Sequence, residues 1–213
     1  MRALVTIMAM MASALALAVD TAASGDAQPG PSEVVESAAR SMLQDLDANR
    51  AAYRKEPSKV STLVEKYLVP HLDMEYSARL VLGKHWRDAT PEQRKRFADA
   101  FYHTLIENYG SALADFTSDR LKVFPTKVEA GTDRATVRTE VTRSNGDHVP
   151  VNYSLHKTDA GWKAWDVVIE GISYVKSFRD DYDAAIEQQG LDAVIERIEK
   201  GGDSVVPGKG EKK

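Results

Sequence analysis

The sequence predicts an α+β fold in which a curved antiparallel sheet of about four strands packs against several helices and encloses an apolar space. Three observations carry this reading. Apolar residues recur at helical spacing up to about residue 116, the period falls to two between residues 121 and 170, and helical spacing returns from residue 174. Helices, then a run of strands, then helices is an α+β order, whereas a parallel sheet would alternate the two.

The ends of the chain read differently from its middle. Arg2, the run "ALVTIMAMMASALALAV" and the small residues after it have the charged, apolar and cleavage regions of a secretory signal peptide over residues 1–23, with Ala18 or Ala23 as the cleavage position. The run is at the short end of the roughly 17–25 residues that a bilayer span needs. Residues 24–32, "SGDAQPGPS", form a Pro/Gly-rich flexible linker, residues 33–200 a single domain, and residues 201–213 a disordered tail. The chain has no cysteine, which excludes a lipidated N-terminal cysteine, disulfides and thiolate metal sites, so the exported domain must be stabilised by its core. A net charge of −4 without a basic stripe gives no sign of nucleic acid as a partner.

Each element follows from its pattern. Val34, Val35, Ala38, Met42, Leu43 and Leu46 mark a helix over residues 33–49. Pro57 and Ser58 open a shorter helix, carrying Val60, Leu63, Val64, Tyr67 and Leu68, that Pro70 stops. A third helix spans residues 73–82 and ends at Gly83, suited to a left-handed cap. "TPEQ", residues 90–93, is a capping box with proline at the first helical position, and the helix behind it carries Phe97, Phe101, Leu105, Tyr109, Leu113 and Phe116 on one stripe. "LKVFPTKVE" is the first strand. "RATVRTEVT" alternates Ala135, Val137, Thr139 and Val141 against polar residues, "NGD" at 145–147 turns the chain, and Val149, Val151, Tyr153 and Leu155 alternate on the return strand. "WKAWDVVIE" is the last strand. Helices over residues 174–188 and from Leu191 to Ile198 close the domain.

Several chemical motifs are weak. Ser173, His156 and Asp166 make a nucleophilic trio without a GxSxG elbow. His71 and Glu75 are four apart, but no His-x-His or HExxH accompanies them, so surface residues are the better account. "GDSVVPGKG" has the wrong spacing for a phosphate loop, and "NYS" at 152–154 lies mid-strand, where glycosylation is disfavoured. No catalytic residue, metal ligand or cofactor is assigned. Asp166 and Glu170 flank the apolar centre of the last strand and are expected to face solvent or helix ends, while Trp165, Val167 and Ile169 face inward. Val137, Val141, Val149, Val151, Tyr153, Val167, Ile169 and Ile172 then meet the helical stripe, and periodicity fits a dry core and a lined cavity equally. Ser173 is placed to cap the next helix.

"ARLVLGKHWRDATPEQRKRFADAFYHTLIENYGSAL", "VPVNYSLHK" and "GWKAWDVVIEGISYVKSFRDDY" resemble the phospholipid-binding MlaC family, also called the toluene-tolerance auxiliary family, over about residues 33–200. The resemblance implies an NTF2-like fold and a soluble, monomeric periplasmic carrier without enzymatic turnover. Such a carrier moves glycerophospholipid between an outer-membrane lipoprotein complex and an inner-membrane ABC transporter complex, which maintains outer-membrane lipid asymmetry. By the same analogy Val149, Val151, Tyr153, Ile169, Ile172 and Ser173 line the lipid pocket; Phe101, Leu105, Tyr109, Val137, Val141 and Val167, inward-facing by periodicity, complete the expected lipid-binding set, and Lys84, Arg87 and Arg94 are candidates to neutralise a phosphate left near the mouth. An NTF2-like isomerase or hydrolase using Asp166, Tyr153 or His156 is the alternative, and a binding adaptor with a filled core is a third reading.

Overall fold

In the computed structural model, helix α1 (Pro31–Ala48) starts two residues before the expected boundary, because Pro31 fits the first helical turn and the Glu33 carboxylate accepts from the Gly30 N–H at 2.9 Å. The structure describes residues 28–56, 58–113, 120–129, 131–142 and 145–201, and of these the side chains of Arg54 and residues 108–113 are outside the description. The expected signal peptide, most of the linker, Phe116, the tail after Gly201 and its GDSVVPGKG stretch lie outside the described residues, as do the side chains of Tyr109 and Leu113.

Two short helical segments that the sequence reading passed over, α2 (Arg50–Lys55) and a 3-10 turn (Val69–His71), flank α3 (Lys59–Tyr67). Helix α4 (Met74–Leu82) is capped by Asp73, whose carboxylate accepts from the Tyr76 N–H at 2.9 Å, and it ends at Gly83 with φ +53°. A single turn, α5 (His85–Asp88), leads into α6 (Pro91–Leu113). At its start Thr90 and Gln93 bond each other's backbone N–H at 3.2 and 2.9 Å, the expected capping box.

The sheet is a five-stranded antiparallel meander in chain order, β1 (Leu121–Val123), β2 (Arg134–Thr142), β3 (His148–Thr158), β4 (Gly161–Ile169) and β5 (Ile172–Ser173). β1 is shorter than expected, although the Phe124 N–H just beyond it still reaches the Arg138 carbonyl at 2.9 Å. The fifth strand is two residues long, too short for an alternation to show. Helices α7 (Tyr174–Gln189) and α8 (Leu191–Glu199) follow, separated by Gly190 at φ +82°.

Cross-strand partners share a face, so the register identifies the inner one. Val137 sits opposite Tyr153, Val141 opposite Val149 and Thr139 opposite Val151, while Tyr153 and Val151 face Val167 and Ile169. The β3–β4 register slips between Ser154 and Leu155, which face Asp166 and Ala164, leaving Trp165 as an extra residue. This β-bulge switches the parity of β4: Trp162 and Ala164 face inward before it, and Val167 and Ile169 after it.

Three apolar clusters pack the helices onto this sheet. Val34 and Val35 of α1 cover Val137, Leu155, Trp162 and Ala164. Met42, Leu43 and Leu46 meet Leu63 of α3. Phe97 and Phe101 of α6 pack with Phe178 and Tyr182 of α7, the Phe101 and Phe178 rings edge-on at 5.1 Å, and with Val194 and Ile195 of α8.

Candidate functional site

Where the three clusters meet they leave a cavity of about 550 Å³. Met42 and Leu43 line it from α1, Leu68 and Leu72 from either side of the 3-10 turn, Met74 from α4, Phe101, Leu105 and Ile106 from α6, and Tyr174, Val175 and Phe178 from α7. The sheet contributes Leu121, Val141, Val149, Val151, Tyr153, Ala164, Trp165, Val167 and Ile169. Among the described residues, only Asp166 and Glu170 are ionisable carboxylates in this lining. The shape follows from α1 lying along one half of the inner sheet face: that half is sealed, and the half carrying Val141, Val151 and Ile169 is left uncovered.

Of the expected positions, Phe101, Leu105, Val141, Val149, Val151, Tyr153, Val167 and Ile169 come together on the cavity wall. Three of the expected positions lie off this wall. Val137 is on the inner face but fully buried under α1, so it belongs to the sealed half. Ile172 is 45% exposed at the β5 edge, because the tight turn at Glu170 and Gly171 carries it past the wall. Ser173 caps α7, its hydroxyl accepting from the Lys176 N–H at 3.1 Å and donating to the Asp166 carboxylate at 2.7 Å.

Of the two placements expected for Asp166, solvent or a helix end, the structure has the second. It is 5% exposed, and its other oxygen accepts from the Val175 N–H at 3.0 Å. The trio of Ser173, His156 and Asp166 is divided, since His156 pairs with Asp73 at 2.9 Å and packs at a tilt against the Tyr76 ring. The Tyr153 phenol has its pKa pushed up by burial, opposed in part by the neighbouring Thr139 hydroxyl. Among the headgroup candidates, Lys84 is tied to Asp183 and Glu187, and Arg94 donates to the carbonyls of Trp86 and Arg87. Among the described residues, no group of three or more His, Cys, Asp or Glu side chains is placed to hold a metal, and no helix is long and apolar enough to cross a membrane.

The wall residues that sequence reasoning missed are mostly helical: Met42, Leu43, Leu68, Leu72, Met74, Tyr174 and Phe178. Their apolar periodicity was visible, but the same pattern describes a residue packed in a core.

Comparison with known proteins agrees with this architecture. A family model described as MlaC protein matches residues 36–200. The toluene tolerance protein ttg2D of Pseudomonas putida is 34% identical over 163 residues, covering 76% of this chain and 75% of that one. The intermembrane phospholipid transport system binding protein MlaC of Haemophilus influenzae is 23% identical over 177 residues, covering 82% and 83% of the two chains. A solved phospholipid-binding protein from Ralstonia solanacearum, in complex with a phospholipid, superposes with a TM-score of 0.71 at 25% identity, covering 79% of this chain and 94% of that one. The helices wrapped over an antiparallel sheet are the NTF2-like arrangement. Matched over most of its length in sequence and in fold, the chain belongs to the MlaC protein family.

Proposed function

We propose that this chain is a periplasmic phospholipid carrier, exported by residues 1–23 and cleaved to a single lipid-binding domain. In this reading it receives lipid at one membrane complex and delivers it at another, between an outer-membrane lipoprotein complex and an inner-membrane ABC transporter complex. The observation that carries the proposal is the cavity of about 550 Å³ whose lining is apolar apart from a few side chains. Two acyl chains with roughly 30 methylenes represent on the order of 20 kcal/mol of burial at about 0.8 kcal/mol each. A groove on the surface would not shelter them from water, and a wall drawn from α1, α4, α6, α7 and the sheet is suited to do so.

A carrier also has to release. The wall must match the bilayer's own offer to within a few kcal/mol, so docking on a partner that moves one element suffices to shift the balance. The wall is built for such movement, because helices from three clusters contribute and no single element closes it. The test is native mass spectrometry of the protein purified gently from a Gram-negative host. Bound glycerophospholipid at one molecule per chain is expected, and repeated recovery of empty protein would defeat the proposal.

A further inference from the structure

The cavity shares a wall with a second depression on the opposite side of α4 and α6. Phe101 and Leu105 of α6 face the cavity, whereas Arg94, Lys95 and Tyr102 of the same helix line a groove of about 590 Å³ with Glu75 and Arg79 of α4. The partition is thin. Met74 lines both spaces, Leu68 and Leu72 line the cavity, and Val69 between them lines the groove. Met74 is unbranched with three rotatable bonds, so it can swing aside without a backbone movement.

The groove differs from the cavity in charge. Lys95 is taken up by Asp99 at 2.6 Å, one turn along the same helix. Arg94 is anchored through Nε to the Trp86 carbonyl at 2.9 Å and lies over the Trp86 ring at 5.1 Å, leaving Nη1 of its guanidinium without a protein acceptor among the described residues. Arg79 lies over the Tyr76 ring at 4.6 Å and makes no ion pair among the described residues, and neither does Glu75 one turn before it. Two guanidinium groups with donors to spare and one uncommitted carboxylate therefore share a groove one side chain away from an oily cavity.

We infer that this groove receives a phosphoryl-ammonium group, with phosphate on Arg79 and Arg94 and ammonium on Glu75. On a bound lipid this is the zwitterionic headgroup, and the acyl tails pass Met74 into the cavity. Guanidinium suits phosphate because its planar donor fork matches the oxygens. Glu75 disfavours a headgroup that carries further negative charge. The inference rests on the proposed carrier function.

The test loads the full mature protein from vesicles of equal phosphatidylethanolamine and phosphatidylglycerol and measures the bound lipids by mass spectrometry. Wild type is expected to enrich phosphatidylethanolamine roughly tenfold. Glu75→Gln should bring that ratio close to the vesicle composition, and Arg79→Glu should lower bound phosphatidylethanolamine by roughly tenfold. Wild type and both variants holding lipid at the vesicle ratio would overturn the headgroup assignment and leave the carrier function standing, whereas wild type holding no lipid would overturn both. Soluble glycerophosphoethanolamine, titrated calorimetrically, separates the possible sources of the group. Binding to lipid-stripped but not to lipid-loaded protein supports a headgroup station, and equal binding to both makes the groove a site for free phosphate esters and overturns the assignment.

Discussion

Ser173 donates its hydroxyl to the Asp166 carboxylate at 2.7 Å, and the other oxygen of that carboxylate takes the Val175 N–H at 3.0 Å, so the cavity-lining end of β4 is moored to the first turn of α7. Asp166 is 5% exposed and both of its oxygens are engaged in this joint. Hydrogen bonds to a buried charged group contribute roughly 1.5–3 kcal/mol. Asp166→Ala should therefore lower unfolding stability by about 3 kcal/mol, and Asp166→Asn by roughly half of that, in urea titration. Lipid carried per folded Asp166→Asn molecule should equal wild type. Loss of lipid without loss of stability would mean that the carboxylate acts on the ligand instead.

Val137 and Val151 separate the sealed and hollow halves of the sheet. Val137 is fully buried beneath Val34 and Val35, and Val151 lines the cavity. Val137→Ala should cost about 2 kcal/mol, since it opens a void in packed structure, and Val151→Ala less than about 1 kcal/mol, since it enlarges a space that already exists. Val151→Glu should remain folded in a thermal melt but retain no phospholipid on mass analysis. If it unfolds as readily as Val137→Glu, the space is a core and the carrier proposal loses its basis.

Acid should weaken the joint between α1 and α3. The Asp45 carboxylate accepts from the Tyr67 phenol at 2.9 Å, which with Tyr53, Asn49 and Lys66 holds its pKa below the ordinary value against the opposing effect of burial. A carboxyl depressed on folding contributes stability that is fully present above its unfolded pKa of about 4 and is lost as pH falls through the folded value. Asp45→Asn should then be less stable than wild type at pH 7, with the gap narrowing below about pH 4. Urea midpoints at pH 7 and pH 3 measure it, and an unchanged gap would contradict this linkage.

Glu170 and Gly171 make the tight turn between β4 and β5 with φ of +51° and +84°. A Cβ at Gly171 would meet nothing within 4 Å, so the cost of Gly171→Ala comes from the left-handed backbone alone. A loss of about 1 kcal/mol is expected by chemical denaturation. A neutral result would show that the turn relaxes to another geometry.

Much of this architecture can be read along the chain. The stripe of Val34, Val35, Ala38, Met42, Leu43 and Leu46, the Thr90–Gln93 box and the alternation of Val149, Val151, Tyr153 and Leu155 each declare an element, because a helix or strand repeats its inward face at a fixed interval. Eight of the expected wall positions line the cavity for the same reason. The β4 bulge at Trp165 was not legible, since an extra residue in a strand leaves the composition unchanged and is imposed by the partner's register. Nor was the burial of Asp166, which comes from Ser173 and the first turn of α7 folding back onto β4.

What the sequence by itself determined is the order of the elements, the inward faces of those with an unbroken period and the family to which the chain belongs. Only the tertiary structure decided that Val137 is packed while Val151 borders empty space, and that Met74 separates an oily cavity from a charged groove. The physical reason is that apolar periodicity records which side chains avoid water. Whether they meet one another or leave a space between them depends on where α1 comes to rest across the sheet.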